Sequence, residues 1–339
     1  MLLSPLLLLL TLFVSTPQAD ASKIKALIID GQNNHHWQET TPRLKMILEN
    51  AGIFSVDVST TPPAMPQVPQ LPEGATPQQF AAHSEAVRKF NDSARVRQAK
   101  FSALWAKWHP HFSDYDVLIS NYNGEDWPQE VRAEFVTFIK NGGGFVSFHA
   151  ADNAFTDWPE YNEMIGIGGW NGRTEQSGPY LRLKNGVWTA LQLPGPSGNH
   201  GKRHEFLVET SVPDHPIMQG LPLKWMHAQD ELYNRLRGPA TNVTVLAYAV
   251  SDVTHVPEPM LMVVHYGQGR VFHTTLGHDI QALNGLGFQI TFARGTEWAA
   301  TGKVSLPPPG PGELPEGPKA ANRELNALIW TSPKGPNIE

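Results

Sequence analysis

Residues 141–155 read NGGGFVSFHAADNAF. Three glycines lead into a short apolar run, and the run stops at His149. An apolar stretch of this length, bounded by turn residues, reads as a buried strand. In many α/β enzymes such a strand ends at a Cys or Ser nucleophile on a sharp turn into a helix. Here a histidine stands at that elbow. The fold class then depends on whether the flanking sequence supplies the other strands of a parallel sheet.

It does so on the N-terminal side. IKALIID (24–30) is a continuous apolar run, followed by the loop GQNNHHWQETT. A helix is expected from about Thr41, with Pro42 in its first turn and Leu44, Ile47 and Leu48 on one face. Gly52 ends it, and IFSVDVS is a second strand. DYDVLIS (114–120) is a third; PQEVRAEFVTFIK, with Pro128 in its first turn, is a helix leading back to the opening stretch. Strand and helix alternate, which predicts an α/β fold with a doubly wound, mostly parallel sheet. Beyond residue 155, LRLKNGVWTALQL reads as a hairpin turning at Asn185–Gly186. HEFLVET, VTVLAYAV, MLMVVHYG and RVFHTTLG are further strands, and QALNGLGFQITFARGTEWAA closes the domain as a helix. The Pro-, Gln- and Gly-rich residues 61–78 and the polar helical residues 79–108 form an insertion over one rim of a domain spanning 22–305. A Pro-rich, extended tail occupies 306–339.

Composition narrows the partners. A net charge of -6 leaves no basic stripe for a nucleic acid. With no cysteine, the chain has no thiol nucleophile, no Cys-ligated metal and no disulfide, so its core must carry its stability. Residues 1–21 are expected to be a signal peptide. The apolar run 6–14 is too short to span a bilayer, and Ala19-Asp20-Ala21 has the small-x-small form of a cleavage site, although no Lys or Arg precedes the run. An exported protein, periplasmic or extracellular and without a membrane span after cleavage, is the expectation.

In an open α/β sheet, ligands bind outside the carboxyl ends of the strands. Polar residues collect there. His35, His36 and Trp37 follow the first strand, Asn121 the third, and His149 and Asn153 the fourth. His278-Asp279 follow RVFHTT, and a loop between two later strands carries His227, Asp230, Glu231 and Tyr233. Histidine and carboxylates ligate metals or move protons, whereas Asn and Trp suit sugar hydroxyls and sugar faces. Asp279 also has the position of a helix N-cap. No short metal signature such as HExxH exists, so any metal site must be assembled from distant segments.

From about Lys25 to Thr301 the chain resembles the ThuA-like family, named for trehalose utilisation. The resemblance rests on GGGFVSFHAA, PDHPIMQGLP, DELY, RGTEWAA and, most specifically, HYGQGRVFHTTLGHD. The family is similar in fold to class I glutamine amidotransferases, which implies a flavodoxin-like doubly wound, mostly parallel sheet, and the elbow of those relatives carries a Cys. Ser147-Phe148-His149 occupy that place here, so thiol amidotransferase chemistry is excluded. The resemblance implies carbohydrate metabolism, in particular the processing of keto-sugars or disaccharides.

The expected site follows. His149, His36, Asp230 and Glu231 are the candidate catalytic residues. His36, His149 and Glu205 are the candidate ligands of a divalent ion, Zn²⁺ or similar. Trp37, Asn121, Asn153, Trp170, His278 and Asp279 are expected to bind a small sugar substrate. The expected activity is a metal-assisted isomerase, lyase or hydrolase; a non-catalytic carbohydrate-binding or assembly protein is the alternative.

Overall fold

The computed structural model describes residues 22–325. The expected signal peptide and the last part of the tail lie outside the described residues. The first half of the chain builds β1 (Ile24–Asp30), α1 (Trp37–Asn50), β2 (Phe54–Thr60), α2 (Pro77–Asp92), α3 (Ala94–Lys107), β3 (Val117–Ser120), α4 (Gln129–Lys140) and β4 (Gly144–Phe148). After a helical turn at His149–Asn153 come α5 (Pro159–Ile165), the hairpin β5 (Tyr180–Lys184) and β6 (Val187–Leu191), and the short β7 (Asn199–His200). The rest is β8 (His204–Thr210), β9 (Lys224–Asp230), β10 (Tyr233–Asn234), β11 (Val243–Val250), β12 (Pro257–Tyr266), β13 (Gly269–Thr274), α6 (Ile280–Asn284) and α7 (Leu286–Thr301).

Nine strands form one sheet in the order β2-β1-β3-β4-β13-β12-β11-β8-β9. The first five are mutually parallel, in flavodoxin-like order. The remaining pairings are antiparallel, so the sheet is mixed. The parallel strands are buried on both faces and read as unbroken apolar runs: all four residues of β3 and all five of β4 are buried. Their two faces lie in separate hydrophobic clusters, one with α1 and α7, the other with α4 and α5.

Strand direction alternates along the antiparallel arm, so β9 again ends at the same edge as β4 and β13. Helix α7 touches β4 and β13 as well as β9, so the arm curls around it and brings the end of β9 back toward the centre. Thirteen of its sixteen residues are buried, as this wrapped position demands. Gly287 lies against Trp225 of β9, where a β-carbon would collide with the indole. Arg294 of α7 donates to the carbonyls of Pro216, Ile217, Gln219 and Leu306, which fastens the PDHPIMQGLP turn and the start of the tail to this helix.

Two local expectations are corrected. Helix α1 begins at Trp37, four residues before Thr41, and Pro42 lies inside it. Proline there removes one helical hydrogen bond, and the carbonyl left free is that of the exposed Gln38, which water can satisfy. KWMHAQD, read as loop, is strand β9. The hairpin turn at Asn185–Gly186 is as expected, with both residues at positive φ (50° and 79°). The insertion forms α2 and α3; α2 buries none of its residues, and α3 only Phe101.

Candidate metal centre

Four side chains from distant segments converge at the carboxyl edge of the sheet: His35 after β1, His149 after β4, Glu231 after β9 and His278 after β13. One ligand atom from each lies within 4.8 Å of all the others. A single oxygen, Glu231 Oε2, stands 3.0 Å from His278 Nδ1 and 3.8 Å from both His35 Nε2 and His149 Nε2. Among the described residues no other group of metal-ligating side chains is gathered this way.

Each member is held by its own segment. His149 has φ 44°, left-handed for a non-glycine residue, at the elbow where β4 gives way to a helical turn. Its Nδ1–H donates to the Thr275 carbonyl at 2.7 Å, which fixes the tautomer and turns the Nε2 lone pair toward the cluster. The Tyr233 hydroxyl donates to that lone pair at 2.9 Å. Asp230 anchors the other side. Its carboxylate accepts from the Gly277, His278 and Glu231 amides at 2.7, 3.0 and 2.8 Å, and pairs with His227 Nε2 at 2.9 Å. One buried carboxylate thus sets the backbone of two cluster members. Gly277, at φ 116°, has no room for a β-carbon beside the Phe148 ring.

The electrostatics suit a cation. Burial, reinforced by the neighbouring His35, pushes the His149 pKa down to about 3, so the ring stays neutral and keeps its lone pair. Burial opposes ionisation of Glu231, but His278, His35 and His149 outweigh it and hold the carboxyl well below its usual range. Burial also opposes charging of His278, and Glu231 outweighs it, leaving His278 above its ordinary value. His278 Nδ1 is buried and has no hydrogen-bond partner of good geometry although Glu231 is close. With His35 and His149, these two side chains bring their ligand atoms to one point. Three imidazoles and one carboxylate are a donor set for Zn²⁺ or another divalent first-row metal.

The cluster lies at one side of a cavity of about 550 Å³ lined by Asn34, Asn123, Asn153, Trp170, Asn171, His200 and Tyr233 as well as His35, Glu231 and His278. Asn171 donates to Asn123 at 2.9 Å and Asn123 to Asn34 at 2.7 Å, a chain of amides along the wall. Asn153 Oδ1 is buried without a hydrogen-bond partner beside this cavity. Trp170 packs on Tyr233 with ring centroids 4.6 Å apart. His200 donates its Nδ1–H to the Gly201 carbonyl at 2.9 Å, so its Nε2 faces Glu231 Oε1 at 3.6 Å. A cavity of similar size beside α4, lined by His111, Phe112 and Glu134 among others, gathers no such cluster.

Of the residues singled out in the sequence, His149, Glu231, His278, Asn153 and Trp170 stand at the cluster or its cavity. His36 does not: it is exposed before the first turn of α1, and His35 holds the place expected for it. Glu205 is also misplaced as a ligand, being exposed and facing the Ala320 amide. Asp230 positions rather than lines the site. Asn121 is buried on the Thr40 and Thr41 hydroxyls and fastens α1 to the sheet. Asp279 caps α6 through the Gln281 and Ala282 amides and pairs with Arg203. Trp37 opens α1 and is not among the cavity-lining residues. The sequence places His35 beside His36 at this edge but points to His36 as the ligand, leaves His200 unassigned and gives Tyr233 no role; only the loop backbone chooses between the two adjacent histidines.

The family described as trehalose utilisation (ThuA) matches residues 71–299. Among solved structures, a ThuA-like protein from Parabacteroides merdae ATCC 43184 is 39% identical, over 89% of this chain and 98% of that one, with a TM-score of 0.73. A ThuA-like protein from Bacteroides uniformis ATCC 8492 is 18% identical over 86% of this chain and 96% of that one, with a TM-score of 0.52, and shows the shared fold. No curated protein matches. With two thirds of its length matched by the family and an α/β sheet shared with these relatives, the chain belongs to the ThuA family.

Proposed function

We propose that this protein is a metal-assisted enzyme acting on a sugar derivative that carries a carbonyl, a keto-sugar or keto-disaccharide. It moves a proton next to that carbonyl and so drives isomerisation or elimination. The observation that carries the reading is three imidazoles and one carboxylate converging beside a cavity walled by Asn and Trp side chains. A binder of sugars needs the wall but not the cluster.

His35, His149, Glu231 and His278 would hold the ion, which when bound supplies Lewis-acid polarisation of a carbonyl oxygen. The remaining groups belong to the chain itself. His200 presents Nε2 to the cavity in a fixed tautomer and is placed to take a proton from a bound sugar. Asn153 Oδ1 accepts from a hydroxyl, and the amide chain of Asn171, Asn123 and Asn34 meets others. Trp170 offers a ring face to the sugar's apolar side. With no cysteine in the chain, thiol chemistry has no part. Export through the apolar leader belongs to the same proposal, and N-terminal sequencing of protein recovered outside the cytoplasm tests it.

Elemental analysis of the purified protein, followed by NMR of deuterium uptake into methyl 3-keto-glucoside in heavy water, tests the activity. We expect near-stoichiometric metal and uptake at the carbon beside the ketone, both lost in His278→Ala. Metal-loaded protein that binds the keto-glucoside without exchanging its hydrogens would reduce the site to a binder.

A further inference from the structure

The Tyr233 hydroxyl sits where it competes with an ion. Nε2 of His149 has a single lone pair in the tautomer fixed by Thr275, and that lone pair is already taken by the Tyr233 hydroxyl at 2.9 Å. Tyr233 is buried, packed between the His149 ring at 4.4 Å and Trp170 at 4.6 Å between centroids, so its ring stays in the wall of the site and an ion on that lone pair requires the hydroxyl end to shift aside. Yet the residue also lines the cavity, so the hydroxyl stands where the cluster meets bound ligand.

We propose that Tyr233 is a hydrogen-bond switch: it caps His149 Nε2 in the metal-free site and, once an ion takes that lone pair, redirects its proton to an oxygen of the ligand bound beside the ion. The inference rests on reading the four-residue cluster as a metal site. It assigns Tyr233 two effects of opposite sign. The hydroxyl weakens metal binding, because its bond to His149 must be given up. It strengthens the binding of an oxygen ligand next to the metal, because the freed O–H finds an acceptor there. A residue that only supports the fold would move both in the same direction.

The test compares wild type with Tyr233→Phe, a change that keeps the packed ring. Co²⁺ is titrated into chelator-stripped protein, and acetohydroxamate, a small oxygen chelator, is then titrated into the Co²⁺-loaded protein, both followed by visible absorption. One hydrogen bond corresponds to roughly a two- to tenfold change in affinity. We expect Tyr233→Phe to bind Co²⁺ tighter by that factor and acetohydroxamate weaker by a similar one. We also expect the tyrosine near-ultraviolet difference spectrum that Co²⁺ induces in the wild type to be missing in the variant. The wild-type spectrum tests the switch even where the variant folds poorly, since an unperturbed tyrosine signal on metal binding overturns it. Equal or weaker Co²⁺ binding by a folded variant also overturns it, as does unchanged acetohydroxamate binding. A wild type that takes up no ion overturns the metal reading, and the switch with it.

Discussion

His149 makes the metal-free protein sensitive to acid, and the size of the effect follows from its burial. Its folded pKa is about 3 against an ordinary 6.5. Between those values the unfolded chain binds a proton that the native one refuses, so native stability falls as pH falls through this window. Integrating the two titrations from about pH 7 to about pH 4.5 gives a loss on the order of 2–3 kcal/mol from this one ring. His278 acts with the opposite sign. Its folded pKa is raised, so its contribution is complete below its ordinary 6.5 and is lost as pH rises through the folded value. Glu231, with a lowered pKa, loses its contribution only below the ordinary carboxylate range. Comparing wild type with His149→Gln at both pH values isolates the buried imidazole. The assay is urea unfolding in the presence of a chelator. With an m-value of about 3 kcal/mol/M for a chain of this size, the wild-type midpoint should drop by roughly 1 M more than the variant's. Identical drops in the two proteins would refute the argument that the ring is held neutral by burial.

Two further outcomes follow from the geometry. His35→Ala should abolish stoichiometric metal and His36→Ala should leave it intact, as read by elemental analysis of both proteins. Asp230→Asn replaces one accepting oxygen by a donor and leaves at least one of the Gly277, His278 and Glu231 amides unpaired in the interior; the expected destabilisation is about 1–3 kcal/mol by urea unfolding, with weaker Co²⁺ binding alongside.

How much of this was legible beforehand depends on the range of the interaction concerned. IKALIID, DYDVLIS and GGGFVSF announced buried parallel strands because both faces of such strands must be apolar, and that pattern is local. Asn185–Gly186 announced a hairpin because few residues adopt positive φ in succession at low cost. Asp279 could be read as a helix cap because a side chain reaches the amides two and three residues ahead without help from elsewhere. β9 escaped because KWMHAQD mixes polar and apolar residues as an edge strand does, buried only where the curled sheet meets α6 and α7.

The sequence by itself determined the strand and helix alternation, the elbow at His149 and the absence of thiol chemistry, since each depends on residue type and near neighbours. The tertiary structure alone decided which polar residues meet. His35 rather than His36 points to the cluster because the turn after β1 sends adjacent side chains in different directions, one partly buried and one into solvent. Glu231 joins it because the antiparallel arm curls around α7 and returns the end of β9 to the edge where β4 and β13 also end. Those directions are set by backbone angles and by packing across more than 80 residues of chain, as between His149 and Tyr233, and no local pattern of residue types encodes them.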